Sequence, residues 1–301
     1  MSFEYTNTSG IDCSVQPDLG SLKDKSVIVT GGSSGLGEAY VDAFVKAGAF
    51  VTNADLKPNK DQEAKSNYQF CPCDVTSWDQ QLAAFKAAVS KSPHNTVDIV
   101  VANAGISGSD PIFQLEDTDE PTEPNLKIIQ VDFIGVVYTA KLAMHYFNKQ
   151  DPSRDRCLIL KSSLAGFLDL PGATSYQSSK FAVRGLMCNL RRAGRCRVNL
   201  VAPWYVNTPI MSETVVKRID DLLKKHGADW ATIEDCARTV LRIAADSSVQ
   251  GRSLAVVPHS VSEHGYMDIN YDDYEGRDDI KWLQHLCLYF NHRSSVPADK
   301  Q

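Results

Sequence analysis

The chain has 301 residues, 43% of them hydrophobic and 23% charged, with a formal net charge of -6. That length buries a core needing no disulfide or metal staple, and the acidic balance offers no basic field for nucleic acid. No apolar run approaches the roughly 20 residues that span a bilayer, and Met1 to Gly20 has neither a basic start nor an apolar signal core, so a cytoplasmic protein without nucleic-acid or membrane partners is expected.

Residues 1–25 are polar, show no sustained period and form an N-terminal arm. The apolar run Val27-Ile28-Val29 reads as a strand and leads into Thr30-Gly31-Gly32-Ser33-Ser34-Gly35-Leu36-Gly37. Beyond it, Tyr40, Val41, Phe44 and Val45 recur at helical spacing. In a strand, glycine turn and helix, the glycines admit a tight turn and close backbone approach, while unpaired N–H groups at the helix start attract a phosphate. Gly31, Ser33, Ser34, Gly35, Leu36 and Gly37 are therefore candidate cofactor-binding residues. Ala49 to Asp55 forms a second strand ending on an acid 18 positions beyond Gly37, close to the spacing at which a carboxylate meets the adenosine ribose of a dinucleotide. Asp55, with Leu56 beside it, would repel the 2′-phosphate of NADP, and no arginine stands nearby to bind that phosphate, so NAD is the expected cofactor.

Tyr68 to Cys71 forms a third strand and delivers Asp74 and Val75 to the same sheet edge. Trp78 to Val89 reads as a helix, and Val97 to Val101 as a fourth, fully covered strand running into Asn103, Ala104 and Gly105. The loop from Ile106 to Pro124, rich in Asp, Glu, Pro and Ser, is long enough to border a substrate cleft. A helix is expected from Asn125 to Asn148, with Gly135 as a close-contact point, followed by strand five from Cys157 to Leu160. Alternation of strands and helices predicts an α/β fold, a single-domain Rossmann-type doubly wound parallel sheet with helices on both faces.

Strand five ends in Lys161-Ser162-Ser163, and Tyr176 and Lys180 open the next helix at i and i+4, leaving one helix face together. A phenol is a poor base at its reference pKa of about 10, but an ammonium at ~4 Å in an effective dielectric near 20 contributes ~4 kcal/mol, roughly three pKa units. That brings a tyrosine into working range as a general acid/base.

From Lys25 to Pro258 the chain resembles the short-chain dehydrogenase/reductase family. The matching motifs are the TGxxxGxG glycines Gly31, Gly35 and Gly37, then Asp74-Val75, Asn103-Ala104-Gly105, Ser163, and YxxxK as Tyr176 and Lys180. The wider pattern, including Pro203-Trp204-Tyr205-Val206, is similar to fungal members related to NAD-dependent 15-hydroxyprostaglandin dehydrogenases. The resemblance implies that Tyr176 is the acid/base, that Ser163 holds the reacting oxygen, and that Lys180 lowers the tyrosine pKa and holds the nicotinamide ribose. It also implies cofactor contacts from Asp74, Val75, Asn103, Ala104, Gly105, Pro203, Val206 and Thr208, and a homodimer or homotetramer. Asp132 stands where the family usually has asparagine. A retuned proton relay is expected there, with the extra carboxylate strengthening the ammonium of Lys180. Trp204 replaces the family's usual glycine, either as pocket wall or as a packed side chain.

Ile106, Phe113, Phe167, Leu168, Leu170, Trp204, Tyr205, Ile210 and Met211 are candidates for the substrate pocket, and they suggest a sizeable hydrophobic or aromatic small molecule. The segment after strand six would act as a lid, Ala231 to Ala245 forms another helix, and Ser253 to Val257 the last strand. The eight cysteines are scattered without a CxxC pair, so free thiols and no metal site are expected. The dinucleotide-binding catalytic domain is placed at 26–258. A C-terminal extension, 259–301, packs on it or forms an oligomer contact. The expected activity is NAD-dependent interconversion of a secondary alcohol and a ketone, with fungal secondary metabolism as a setting; ketone reduction and a nucleotide-binding scaffold with little redox chemistry are the alternatives.

Overall fold

Strands without a polar side must be covered on both faces, and here the apolar runs are buried at every residue in β1 (Ser26–Thr30), β4 (Ile99–Ala102) and β6 (Arg197–Pro203). With β2 (Phe50–Asp55), β3 (Tyr68–Pro72), β5 (Cys157–Lys161), β7 (Ser253–Val256) and β8 (Tyr266–Asp268) they form one eight-stranded sheet in the order β3-β2-β1-β4-β5-β6-β7-β8. All neighbours are parallel except β7 and β8. This computed structural model describes residues 5, 10–108, 110, 112, 116–274 and 276–292. Phe113, a candidate pocket residue, lies outside them.

The helices are α1 (Gly35–Lys46), the single turn α2 (Lys60–Glu63), α3 (Trp78–Lys91), the single turn α4 (Lys127–Ile129), α5 (Gly135–Asn148), α6 (Thr174–Leu190), α7 (Glu213–Lys225), α8 (Ile233–Ala245) and α9 (Asp278–His292). Tyr40 and Phe44 of α1 and Cys236, Val240 and Ile243 of α8 pack on one face of the sheet. Phe85 of α3, Leu142 and Phe147 of α5, and Val183 and Met187 of α6 pack on the other. The strand order reverses direction between β1 and β4, which opens a crevice at the carboxyl ends of the strands.

The helix expected over 125–148 begins at Lys127 and is interrupted by a π-helical turn, Gln130–Ile134, before α5. By length and composition Lys127–Asn148 could cross a membrane; Leu142, Ala143 and Phe147 are instead fully covered against the sheet. Gly135 is the expected contact point, since a Cβ there would lie 2.9 Å from Val75 Cγ2. Helix α8 starts two residues later than expected because Thr232 caps it, its hydroxyl accepting from Asp235 N–H at 3.0 Å.

The C-terminal extension adds β8 antiparallel to β7, and buried charge holds it there. Arg252 bridges Asp268 at 2.7 Å and Asp273 at 2.9 Å, Arg191 meets Asp273 at 3.2 Å, and Arg184 on α6 meets Asp272 at 2.7 Å. Tyr5 of the N-terminal arm donates to Asp273 at 2.6 Å, and burial, then that carboxylate, pushes its phenol up to about 12. Arm and extension are thus tied to one another and to α6.

Candidate active site

The glycine turn between β1 and α1 is held from below by β2. Asn53 accepts from Gly32 N–H at 3.0 Å and donates to the Ser33 hydroxyl at 2.9 Å, while Gln62 donates to the Gly32 carbonyl at 3.1 Å. Gly31 and Gly35 have φ of +67° and +56°, backbone that favours glycine. A Cβ on Gly31 would sit 2.8 Å from Ala104 Cα, and one on Gly37 would overlap the Gly31 carbonyl oxygen. Helix α1 has no side-chain cap at Ser34, whereas α3, α7 and α8 are capped by Ser77, Ser212 and Thr232. Its first N–H groups are left for an anion, as a dinucleotide pyrophosphate requires.

The other cofactor candidates line the same crevice. Asp55, at the end of β2, accepts from Ser33 N–H at 2.9 Å and from Leu56 N–H at 2.6 Å, so its carboxylate faces the turn. Leu56 is exposed beside it. Asp74 is folded onto Thr76, accepting from its N–H at 2.9 Å and its hydroxyl at 2.7 Å. Asn103 donates to the carbonyls of Thr30 and Gly31 at 2.9 and 3.1 Å, and the Thr30 hydroxyl accepts from Asn103 and Ala104 N–H, both at 3.0 Å. Among the described residues the buried Asn103 Oδ1 has no partner. Val206 bridges Ala231, and Thr208 comes back over the turn, 3.5 Å from where a Gly35 Cβ would be. A glycine cradle, an uncapped helix start, an acid at the ribose position and an orphaned amide oxygen fit a nicotinamide dinucleotide.

Ser163, directly after β5, accepts from Ala165 N–H at 3.2 Å and donates to the Pro203 carbonyl at 3.3 Å. Its neighbour Ser162 donates to the Lys180 carbonyl at 2.9 Å, and a Gly166 Cβ would collide with that hydroxyl at 2.6 Å. The turn carrying Ser163 therefore lies tight against α6. Lys180 Nζ stands 5.1 Å from the ring centre of the half-buried Tyr176. The start of α6 has no cap of its own. Asp110, from the loop after β4, accepts from Thr174 N–H at 2.8 Å and its hydroxyl at 2.6 Å, and this contact holds the Asp110 carboxyl below its ordinary pKa.

Asp132 lies in the π-helical turn, wholly buried. Its Oδ2 is 2.8 Å from Lys180 Nζ, and Oδ1 accepts from Ile106 N–H at 2.7 Å. Burial pulls the Lys180 ammonium down, but the attraction of Asp132, then Tyr176, more than offsets it and the net displacement is upward. The sequence expectation of a strengthened ammonium holds.

The apolar pocket candidates are brought to one end of the sheet but not into one cavity. Ile106 lines a cavity of about 360 Å³ with Glu116, Pro124 and Ile128, and Met211 lines one of about 750 Å³ under α7 with Thr208, Val216 and Trp230. Phe167 packs under the Arg184 guanidinium at 4.3 Å; Leu168 and Ile210 are exposed, and Trp204 meets Tyr205 edge-on at 4.7 Å. Trp204 is partly buried against the core beside α8.

Sequence reasoning missed Asn53, Asp110 and Lys161. The signal for Asn53 was an amide inside an otherwise apolar strand, and for Lys161 a lysine closing one. Asp110 had none, because its partner lies 64 residues away.

A parallel sheet with this turn, followed by serine, tyrosine and lysine at one strand end, defines a nicotinamide-dependent oxidoreductase, and the chain belongs to the short-chain dehydrogenase family. The model of that family, described as short chain dehydrogenase, matches residues 25–218. The chain is 36% identical over 291 residues to the 5'-hydroxyaverantin dehydrogenase of Dothistroma septosporum, covering 86% of this chain and 91% of that one. It is 30% identical to the NADP-dependent dehydrogenase M3 of a Phoma species, covering 86% and 82%. Among solved structures, ligand-free aldohexose dehydrogenase of Thermoplasma acidophilum superposes with a TM-score of 0.66 at 28% identity, covering 79% of this chain and 94% of that one.

Proposed function

We propose that the protein is an NAD-dependent dehydrogenase interconverting a secondary alcohol and its ketone on a sizeable hydrophobic or aromatic small molecule, in fungal secondary metabolism. The observation that carries this reading is the convergence of Ser163, Tyr176 and the buried Lys180 beside the crevice that begins at the glycine turn. In the oxidative direction Tyr176 accepts the alcohol proton, and the Ser163 hydroxyl donates to the substrate oxygen and positions it. Lys180, pinned by Asp132, keeps a positive charge beside the phenol. Bound nicotinamide supplies the hydride acceptor. Asp55 favours NAD, because its carboxylate occupies the ribose end without an accompanying arginine. The relative named 5'-hydroxyaverantin dehydrogenase supports both the oxidative direction and the fungal setting. Helix α7, with Val215 and Leu222 exposed, serves as the lid over the cleft. We expect a cytoplasmic homodimer or homotetramer, which light scattering of the purified protein checks.

Replacing Tyr176 by Phe tests the assignment. Turnover of a secondary-alcohol substrate, followed by nicotinamide absorbance, should fall roughly 10²–10⁴-fold. Turnover equal to that of the unmodified protein would remove Tyr176 from the chemistry. Titration with NAD and NADP tests the cofactor reading, and tighter NADP binding would refute it.

A further inference from the structure

Lys161 closes β5, two residues before Ser163. Side chains alternate along a strand, and Cys157 and Ile159 pack on the face covered by α1 and α8, so Lys161 belongs to that same face. Beside it in β6 is Val201, a member of the same apolar cluster. Among the described residues the Lys161 ammonium has no hydrogen bond and no ion pair, and as the last residue of its strand the side chain keeps a partial opening at the carboxyl edge of the sheet. The phosphate cradle on β1 is two strands away, roughly 10 Å. Ser163, Lys180 and Asp132 are on the Lys161 side, where the reacting end of a dinucleotide must lie.

The charges of the cleft show what Lys161 adds. Lys180 and Asp132 form a closed pair whose charges cancel. Among the described residues Lys161 is a cation beside this pair with no ion-pair partner of its own. Oxidised nicotinamide carries a positive charge that it loses on accepting a hydride, so a fixed cation close by penalises the oxidised ring and leaves the reduced ring untouched.

We propose that Lys161 is a specificity-determining residue that faces the nicotinamide end of the cofactor and biases the cleft toward the reduced over the oxidised form. The proposal rests on the hydride-transfer reading above. Burial, then repulsion by Lys180, pulls the Lys161 ammonium down to about 8, against the attraction of Asp132 on the π-helical turn and Cys236 on α8. Burial pushes the Cys236 thiol up to about 12, so it stays neutral over the same range. The bias is therefore strong at pH 7 and fades above pH 8.

The test is the ratio of dissociation constants, oxidised over reduced cofactor, measured by fluorescence titration of the full chain with NAD+ and NADH and, separately, with NADP+ and NADPH. Lys161→Met keeps an unbranched chain among apolar neighbours and removes an unpaired charge. At pH 7 it should lower the ratio roughly tenfold, the size expected of one charge at ~10 Å in an effective dielectric near 20. The unmodified protein should show a similar drop between pH 7 and pH 9.5 that Lys161→Met does not show. Lys161→Arg should retain the high ratio at both pH values. A ratio in Lys161→Met within twofold of the unmodified protein overturns the proposal, including the case where both forms weaken equally because the ammonium binds pyrophosphate. Preference for NADP would refute only the cofactor choice, since the ratio is then read in that pair. Failure to bind either pair would refute the hydride-transfer reading and this inference with it.

Discussion

Asp132→Asn isolates one charge in the proposed catalytic centre. The amide keeps the side-chain shape, and its oxygen can still accept from Ile106 N–H, so what disappears is the partner of Lys180, a pair at 2.8 Å with side chains 1% and 0% exposed. Removing one member of such a buried pair costs roughly 3–5 kcal/mol. The pH dependence follows from the displacement of Lys180. In the unmodified protein its folded pKa is raised above 10.5, so the stabilisation is fully present below 10.5 and is lost as pH rises through the folded value. In Asp132→Asn burial is opposed only by Tyr176, and the ammonium falls below its ordinary value. The unfolded chain then binds more protons than the folded one, and stability climbs with pH. Lys161 loses an attractive carboxylate too and moves the same way. The gap between the two proteins should be widest near pH 7 and should narrow toward pH 10. Urea unfolding at both pH values measures it, with equal slopes required for the comparison. A loss below about 1 kcal/mol at pH 7, or a gap that does not narrow, would refute the claim that Asp132 is what keeps Lys180 charged.

Other perturbations address the parts around that pair. Asn53→Leu removes the acceptor of Gly32 N–H and the donor to Ser33, and should weaken NAD binding roughly thirtyfold with little change in the chemical step, as two lost hydrogen bonds to the turn at about 1 kcal/mol each would; isothermal titration reads it. Asp110→Ala frees the first turn of α6, so kcat should fall more than the affinity for NAD, measured by steady-state kinetics beside cofactor titration. Arg252→Met takes the ion-pair partner from the Asp268 carboxylate, while Asp273 keeps Arg191 and Tyr5, and should destabilise the fold by roughly 3–5 kcal/mol, seen as a lower urea midpoint.

The parts of the site visible in the sequence are those whose members lie close along the chain or whose backbone demands glycine. Tyr176 and Lys180 share a helix face by spacing alone, and Gly31, Gly35 and Gly37 announce a turn where a Cβ would collide at Gly31 and Gly37 and where the backbone of Gly35 has a positive φ. The parts that escaped are joined across the fold. Asn53 steadies the turn from a neighbouring strand, Asp110 caps α6 from a distant loop, and the C-terminal extension is held by Arg184 of α6 and by Arg252 just before β7. No periodicity records such pairings, because each depends on which elements the folded sheet brings together. Asp132 shows the boundary between the two kinds. Its departure from the family pattern is plain in the sequence, and its effect on Lys180 can be reasoned from charge alone. That it also anchors Ile106 N–H, and so fixes the start of the loop bordering the cleft, required the fold. Its meaning changes again beside Lys161. A carboxylate that neutralises Lys180 would leave the cleft without net positive charge, and a lysine at the end of β5 restores it on the opposite face of the sheet. Asp132 beside Lys180 and Lys161 at the end of β5 together keep one unit of positive charge at the reacting end of the cleft while placing it away from the lysine next to Tyr176.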